Sequence, residues 1–198
     1  MEKQLIISVG REFGSGGHEI AEMLAERFGL NLYDSNLLEE IATEKKVDGS
    51  SFERYDEVRR NVIFSRKVRG YSNSVEENIA NMQFDYLQTK ASKGESFVVV
   101  GRCAETMLKG YPALVSIFVL GDHKHKVARV KKLYNLATPE AENYIMKQDK
   151  KRKMYHNYYC EGKWGDSRNY DISINSSKLG VEETIRLLID YIDMRRKK

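Results

Sequence analysis

The chain has 198 residues, the size of one domain and too short for two full-sized ones, and its 41% hydrophobic and 31% charged content excludes a wholly disordered polymer. Its two prolines, Pro112 and Pro139, exclude collagen-like, Pro-rich-linker and mucin-like compositions. The net charge of +4 suits phosphate-bearing small molecules as well as nucleic acid, and the lack of a basic–aromatic repeat argues against nucleic acid. The longest apolar runs, Leu5–Val9 and Phe97–Val100, fall far short of the roughly 18 residues that span a bilayer. Met1–Gln4 runs straight into a strand-like segment without a charged-then-apolar leader, so the cytoplasm is the expected compartment and no membrane is expected as a partner. Cys103 and Cys160 lie far apart and by spacing make neither a disulfide framework nor a zinc site.

In chain order, Leu5–Val9 reads as a buried strand followed by a glycine-rich turn. From His18 to Phe28 the apolar residues Ile20, Met23, Leu24 and Phe28 recur at helical spacing, and Gly29 closes that helix. Asn31–Tyr33 is a short second strand ending at Asp34, and Asn36–Lys45 a helix with Leu37, Leu38 and Ile41 on one face. Residues 47–75 mix charges, Ser and Asn among few large apolar groups and read as a mobile, partly helical excursion. Val75–Ala91 returns to helix, Ser96–Val100 and Leu114–Leu120 are strands, and His123–Tyr134 is a basic amphipathic helix. Thr138 is the expected cap of a Lys- and Tyr-rich helix that Pro139 opens and that runs to Tyr159. Tyr170–Ile174 is the last strand and Val181–Met194 the last helix. Five strands alternating with helices predict a three-layer α/β domain over 1–198, built on a parallel five-stranded sheet with helices on both faces. In such sheets ligands sit beyond the carboxyl ends of the strands.

The first of those ends is Gly10-Arg11-Glu12-Phe13-Gly14-Ser15-Gly16-Gly17-His18. Glycines let a backbone turn tightly and aim several N–H groups at one anion, and the following helix N-terminus adds positive potential. Gly14, Ser15, Gly16, Gly17 and His18 are therefore candidate phosphate-binding residues, against the plainer reading of a tight turn with no ligand. The turn departs from the Walker A pattern. With Gly16 aligned to its second glycine, Gly17 stands where Lys belongs and His18 where the Mg2+-binding hydroxyl belongs. Arg11 and His18 are the nearby cations able to substitute, and Ser15 or Glu19 are the groups that would approach a metal; no direct metal ligand is assigned.

The run GREFGSGGHEIAEMLAERFGLNLYDSNLL, followed in order by VVVGRC, YCEGKWGD and YDISINSSKLGVEETI, resembles the cytidylate kinase-like family, a branch of the nucleoside monophosphate kinases. The resemblance spans about residues 4–193 and is weakest over 45–78. It implies a P-loop kinase-like fold with a helical lid, ATP and Mg2+ as donor and cofactor, and a nucleoside monophosphate as acceptor. Family members often lack the P-loop lysine and carry Arg at the His18 position. The resemblance makes Asp34 and Ser35 acceptor-side residues, the acid near the reacting phosphates and the hydroxyl near the base; the residues alone also allow Asp34 to cap the next helix. Gly101-Arg102-Cys103 resembles the Gly-Arg-Asp of cytidylate kinases, so Arg102 is expected to grip phosphate, while Cys103 replaces the acid that contacts cytosine. The plainer reading is a surface Arg102 paired with Glu105.

About residues 138–166 the resemblance implies a lid, and 45–78 an acceptor-side excursion. Lys147, Lys151 and Arg152, at i, i+4 and i+5 and so expected on one helix face, are the candidate cations that close over the transferring phosphoryl group, against a plain solvated helix. Tyr155, Tyr158, Tyr159 and Trp164 are expected to pack beneath that lid. Asn175–Gly180, after the last strand, is where this kinase fold places the donor adenine. The function expected is ATP-dependent phosphoryl transfer to a nucleoside monophosphate, CMP or dCMP first. Two alternatives stay open: a kinase for a different small acceptor, and a nucleotide-binding regulatory module without turnover. Oligomeric state has no signature in the sequence.

Overall fold

The computed structural model describes residues 3–45, 67–68, 71–72 and 75–197. Ile6–Arg11 forms β1, Gly17–Phe28 α1, Asn31–Tyr33 β2 and Leu37–Lys45 α2. A short antiparallel pair, β3 (Lys67–Val68) and β4 (Tyr71–Ser72), precedes α3 (Val75–Ser92), β5 (Phe97–Val100), the one-turn α4 (Ala104–Met107) and β6 (Leu114–Leu120). Then come α5 (His123–Tyr134), α6 (Thr138–Tyr159), a 3-10 turn at Ser167–Asn169, β7 (Ile172–Asn175) and α7 (Ser176–Arg196). The remainder of the expected excursion over 45–78 lies outside the described residues.

The main sheet has five parallel strands in the order β2-β5-β1-β6-β7. β1 is central, pairing Ile6–Val9 with Phe97–Val100 on one side and Ile6–Arg11 with Leu114–Val119 on the other. Strands covered on both faces read as continuous apolar runs, and β1, β5 and β6 do. Successive side chains go to opposite faces. Ile7, Val9, Val98 and Val100 pack with Ile20 and Leu24 of α1 and with Ile185, Leu188 and Ile192 of α7. Ile6, Phe97 and Val99 pack with Leu37 and Ile41 of α2, Leu87 of α3 and Leu108. This is the expected three-layer α/β architecture. The α5–α6 pair has a smaller core of its own, Val127, Val130, Ala141 and Ile145, on which Phe13 of the glycine turn rests.

Three local expectations are corrected. The last helix begins at Ser176 rather than Val181, because Asn175 accepts the Ser177 N–H and starts a first turn that apolar spacing does not report. Gly180, at φ 78°, then breaks the helix before its amphipathic part. Ala137, not Thr138, occupies the cap position of α6; Glu140 accepts the Ala137 N–H at 2.9 Å, while the Thr138 hydroxyl accepts from Lys131 at 2.8 Å. The turn α4 has no counterpart in the sequence reading, being too short to show a period.

Candidate active site

The turns that follow all five strands of the sheet meet above its carboxyl edge. The glycine turn is shaped by contacts that only glycine permits. Gly14 and Gly16 have φ of 81° and 80°, and a side chain on Gly14 would bring its Cβ to 3.0 Å from Val130 and 3.1 Å from the Lys126 carbonyl. Gly17 opens α1, and a Cβ there would come to 2.5 Å from the Cβ of Arg11. The stem of Arg11 thus fills the space that a lysine at position 17 would need.

Arg11, His18, Arg129 and Arg152 line a cavity of about 420 Å3 over the glycine turn. Arg152 is half-buried; its guanidinium lies 5.2 Å from the Phe13 ring centre and donates to the Arg11 carbonyl at 3.4 Å. Lys147 and Lys151 are exposed on α6 and do not line this cavity. The expectation that the three share a face is corrected: Lys147 and Lys151 do, but a helix turns by about 100° per residue, so Arg152 points elsewhere.

Sequence reading missed the group that holds the turn in place. Lys126 of α5 is buried, and its Nζ lies 3.0 Å from both Glu12 Oε2 and Asp149 Oδ2. Asp149 Oδ1 accepts the Phe13 N–H at 2.6 Å, and Glu12 Oε2 accepts the Gly121 N–H at 3.2 Å. One buried cation therefore ties the glycine turn to α5, α6 and the end of β6. The available signal was Glu12 itself, since an acid inside a phosphate cradle needs a cationic partner.

Both groups expected near a metal already have partners in the protein. Ser15 is buried; its hydroxyl donates to the Glu12 carbonyl at 2.8 Å and accepts from the Gly17 N–H. Glu19 is paired with Arg129. The carboxylates at the mouth of the turn are Glu22 and Asp34, at 3.3 and 3.4 Å from His18 Nε2.

Asp34 takes the helix-start duty considered for it and leaves its other oxygen toward the glycine turn. Its Oδ1 accepts the Asn36 N–H at 3.0 Å at the start of α2, and its Oδ2 faces His18. The exposed Ser35 hydroxyl reaches Asp34 Oδ1 at 3.5 Å. Arg102 is buried, with φ 58°, and donates through Nη2 to the Asp34 carbonyl at 2.8 Å. The plainer reading of a surface Arg102–Glu105 pair is overturned, because Glu105 bonds to His156 Nε2 at 2.8 Å and both are buried.

Cys103 and Cys160 meet in the same buried apolar cluster, so the separation that argued against a shared site is undone by the fold. Burial alone would lower the His156 imidazole, but hydrogen bonds to Cys160 and Glu105 outweigh it and carry it up to about 10. The Cys160 thiol is held down at about 6 by its hydrogen bond with Cys103, against the effect of burial, and by His156. Tyr155 and Tyr158, on α6 itself, each meet Tyr159, Phe84 also meets Tyr159, and Trp164 stands edge-on to Phe118. After β7, Asn175 and Lys178 bond to the Asp122 carboxylate at 2.8 and 2.6 Å and hold it below the usual range, Lys178 contributing most. Ser176 donates to the Ser15 carbonyl at 2.5 Å, joining this end to the glycine turn.

A larger cavity of about 880 Å3 opens beside Leu114 and Ser116, toward the amino-terminal end of β6, and so lies at the wrong end of the sheet for this constellation. Among the described residues no helix is long and apolar enough to cross a membrane.

Similarity to known proteins follows the same lines. A gluconokinase from Sinorhizobium meliloti shares the fold, with a TM-score of 0.57 at 13% identity, covering 100% of this chain and 96% of that one. An uncharacterized protein from Eubacterium ventriosum is 40% identical with a TM-score of 0.77, over 96% of this chain and 99% of that one. A cytidylate kinase from Methanocaldococcus jannaschii is 24% identical over 196 residues, 98% of this chain and 100% of that protein. Residues 6–178, which carry the glycine turn, the Asp34 and Arg102 turns and the Lys126 network, match the cytidylate kinase-like family, and the chain belongs to it.

Proposed function

We propose that the protein transfers the terminal phosphoryl group of ATP to a nucleoside monophosphate, with CMP or dCMP as acceptor and Mg2+ as cofactor. The observation that carries this reading is the arrangement at the glycine turn: the stem of Arg11 fills the space beside Gly17 and the residue lines the cavity over the turn, which suits a cation standing in for the missing helix lysine. The donor phosphates lie against the N–H groups of Gly14 to His18 at the start of α1, where the helix dipole adds positive potential. Arg11 and Arg152 bring charge from β1 and α6, and His18 flanks the opposite end. Lys147 and Lys151 act only through their field, which solvent screens over roughly 10 Å at ordinary salt. Residues 138–166 form the lid. On the acceptor side, Arg102 supplies a guanidinium fixed on the Asp34 carbonyl, and Asp34 and Ser35 face the acceptor. Catalysis is then positioning plus neutralisation of charge on the transferring group.

For Mg2+, Asp34 and Glu22 are carboxylates beside His18 that suit an ion keeping several of its waters. When bound it neutralises charge on the donor phosphates.

A second reading is favoured by Cys103, which is buried and so offers no acceptor to a cytosine amino group. On that reading the acceptor is a different small molecule. A third, nucleotide binding without turnover, follows from the missing helix lysine. Incubation with radiolabelled ATP, Mg2+ and a panel of nucleoside monophosphates and small alcohols separates them. Label on CMP or dCMP supports the proposal, label on another acceptor supports the second reading, and ATP binding without product supports the third.

A further inference from the structure

We propose that Glu105, His156 and Cys160 form a zinc site that fastens the end of α6 to the turn after β5. Each offers one donor atom, and the three atoms lie within 4.8 Å of one another. Cys103 hydrogen-bonds to Cys160 and stands beside that group of three, outside it. All four residues are buried.

The placement comes from two short segments. His156 sits in the last turn of α6 and Cys160 ends that helix, its N–H bonded to the His156 carbonyl at 2.8 Å. The i, i+4 spacing sets their side chains on one side of the helix. Cys103 and Glu105 flank the start of α4, where Cys103 at φ 54° turns the chain sharply. Only the packing of α6 against the end of β5 brings Glu105 to His156 and Cys160.

The chemistry of this set selects the metal. A thiolate sulfur, an imidazole nitrogen and a carboxylate oxygen suit tetrahedral Zn2+ and disfavour Mg2+ or Ca2+, which take oxygen ligands. Tetrahedral bonds of about 2.0–2.3 Å place donor atoms roughly 3.3–3.8 Å apart, so the donors need only small shifts; His156 and Glu105, at 2.8 Å, separate slightly. Burying a thiolate and a carboxylate calls for a compensating cation; His156 now hydrogen-bonds to both, and a divalent ion would displace its proton and take over that charge. Three protein donors leave a fourth position, beside Cys103. The site does not depend on the kinase reading.

The test uses the full chain, stripped with EDTA and titrated with Zn2+ against a chromophoric chelator, and in parallel with Co2+. About one equivalent of Zn2+ is expected, and Co2+ is expected to give the near-ultraviolet thiolate band together with intense tetrahedral visible bands. Cys160→Ser and His156→Ala should each weaken binding by more than the roughly 10–100-fold that loss of an outer-shell partner costs. Cys103→Ser should keep the thiolate band, since the sulfur in the three-donor group is that of Cys160. The wild-type cobalt spectrum requires no variant to fold. Absence of stoichiometric binding, a cobalt spectrum without a thiolate band, or binding unchanged in folded Cys160→Ser would each overturn the proposal.

Discussion

The middle and the last turn of α6 contrast sharply. Its middle, around Asp149 and Arg152, faces the glycine turn with hard, charged groups: Lys126 between two carboxylates, Arg152 over Phe13, Arg129 on Glu19. Its last turn, at His156 and Cys160, faces the Arg102 turn with a buried imidazole, two thiols and Glu105. The first arrangement keeps cations oriented beside a cavity with room for phosphates. The second joins the helix to the Arg102 turn through groups that solvent does not reach. One helix therefore connects the glycine turn and the Arg102 turn by two different chemistries, and perturbing each part should give a different signature.

The largest effect is expected from Arg11. If it stands in for the helix lysine, Arg11→Ala should lower kcat by about 10²–10³, the loss seen when a fixed donor to a developing charge is removed. Gly17→Lys should not rescue it, since the alanine Cβ still stands 2.5 Å from any Cβ at position 17. Only the paired exchange Arg11→Gly with Gly17→Lys removes that clash. Steady-state phosphoryl transfer across the three variants checks this, and full activity in Arg11→Ala would transfer the role to Arg129 or Arg152.

Next comes Lys126. Replacing it with Met leaves Glu12 and Asp149 without their cation, and a loss of about 3 kcal/mol is expected, the lower end for a broken buried pair because both acids keep some contact with water. Urea unfolding measures it. A change below about 1 kcal/mol, as for a surface pair, would mean that the network is not what holds the glycine turn.

Arg102→Ala tests the acceptor side and should cost about 1.5–3 kcal/mol in kcat/KM for the acceptor, the worth of a charged hydrogen bond. ATP affinity should be unaffected. Equal losses for both ligands would place Arg102 between them rather than on one.

The smallest effect is a pH dependence at the far end of α6 in EDTA-treated protein. The folded value of His156, about 10, lies above its unfolded value of 6.5, so its contribution to stability is full below about pH 6.5 and is lost as pH rises through about 10. The gap in unfolding free energy between wild type and His156→Gln should therefore narrow from pH 7 to pH 10. A gap independent of pH would show the imidazole to be neutral throughout.

Much of the fold was readable because it rests on local periodicity. β2, β6 and α5 fall on the expected residues, and the other strands of the sheet differ by one or two residues at an end, since burial on both faces and helical spacing leave direct marks in the chain. The strand-end rule likewise led to Arg11, Gly14–His18, Asp34 and Arg102, residues whose position in the chain is their position in the site. What stayed illegible was long-range pairing. Lys126 reads as one more lysine on a basic helix, and Arg152 reads like Lys147 and Lys151, although it alone of these lid cations lines the cavity. Cys103 and Cys160 argue against a common site until the end of α6 is packed beside the end of β5.

By itself, then, the sequence determined the element order, the parallel α/β class, the glycine turn and its missing lysine, because each depends on residues close in the chain. Tertiary structure alone decided which cations reach the turn, that Arg11 occupies the space beside Gly17, and that two remote cysteines, a histidine and a glutamate share one buried cluster. These depend on which helix face meets which strand end. A rotation of about 100° from one helix residue to the next separates Arg152 from Lys151, and linear spacing records nothing about what lies opposite.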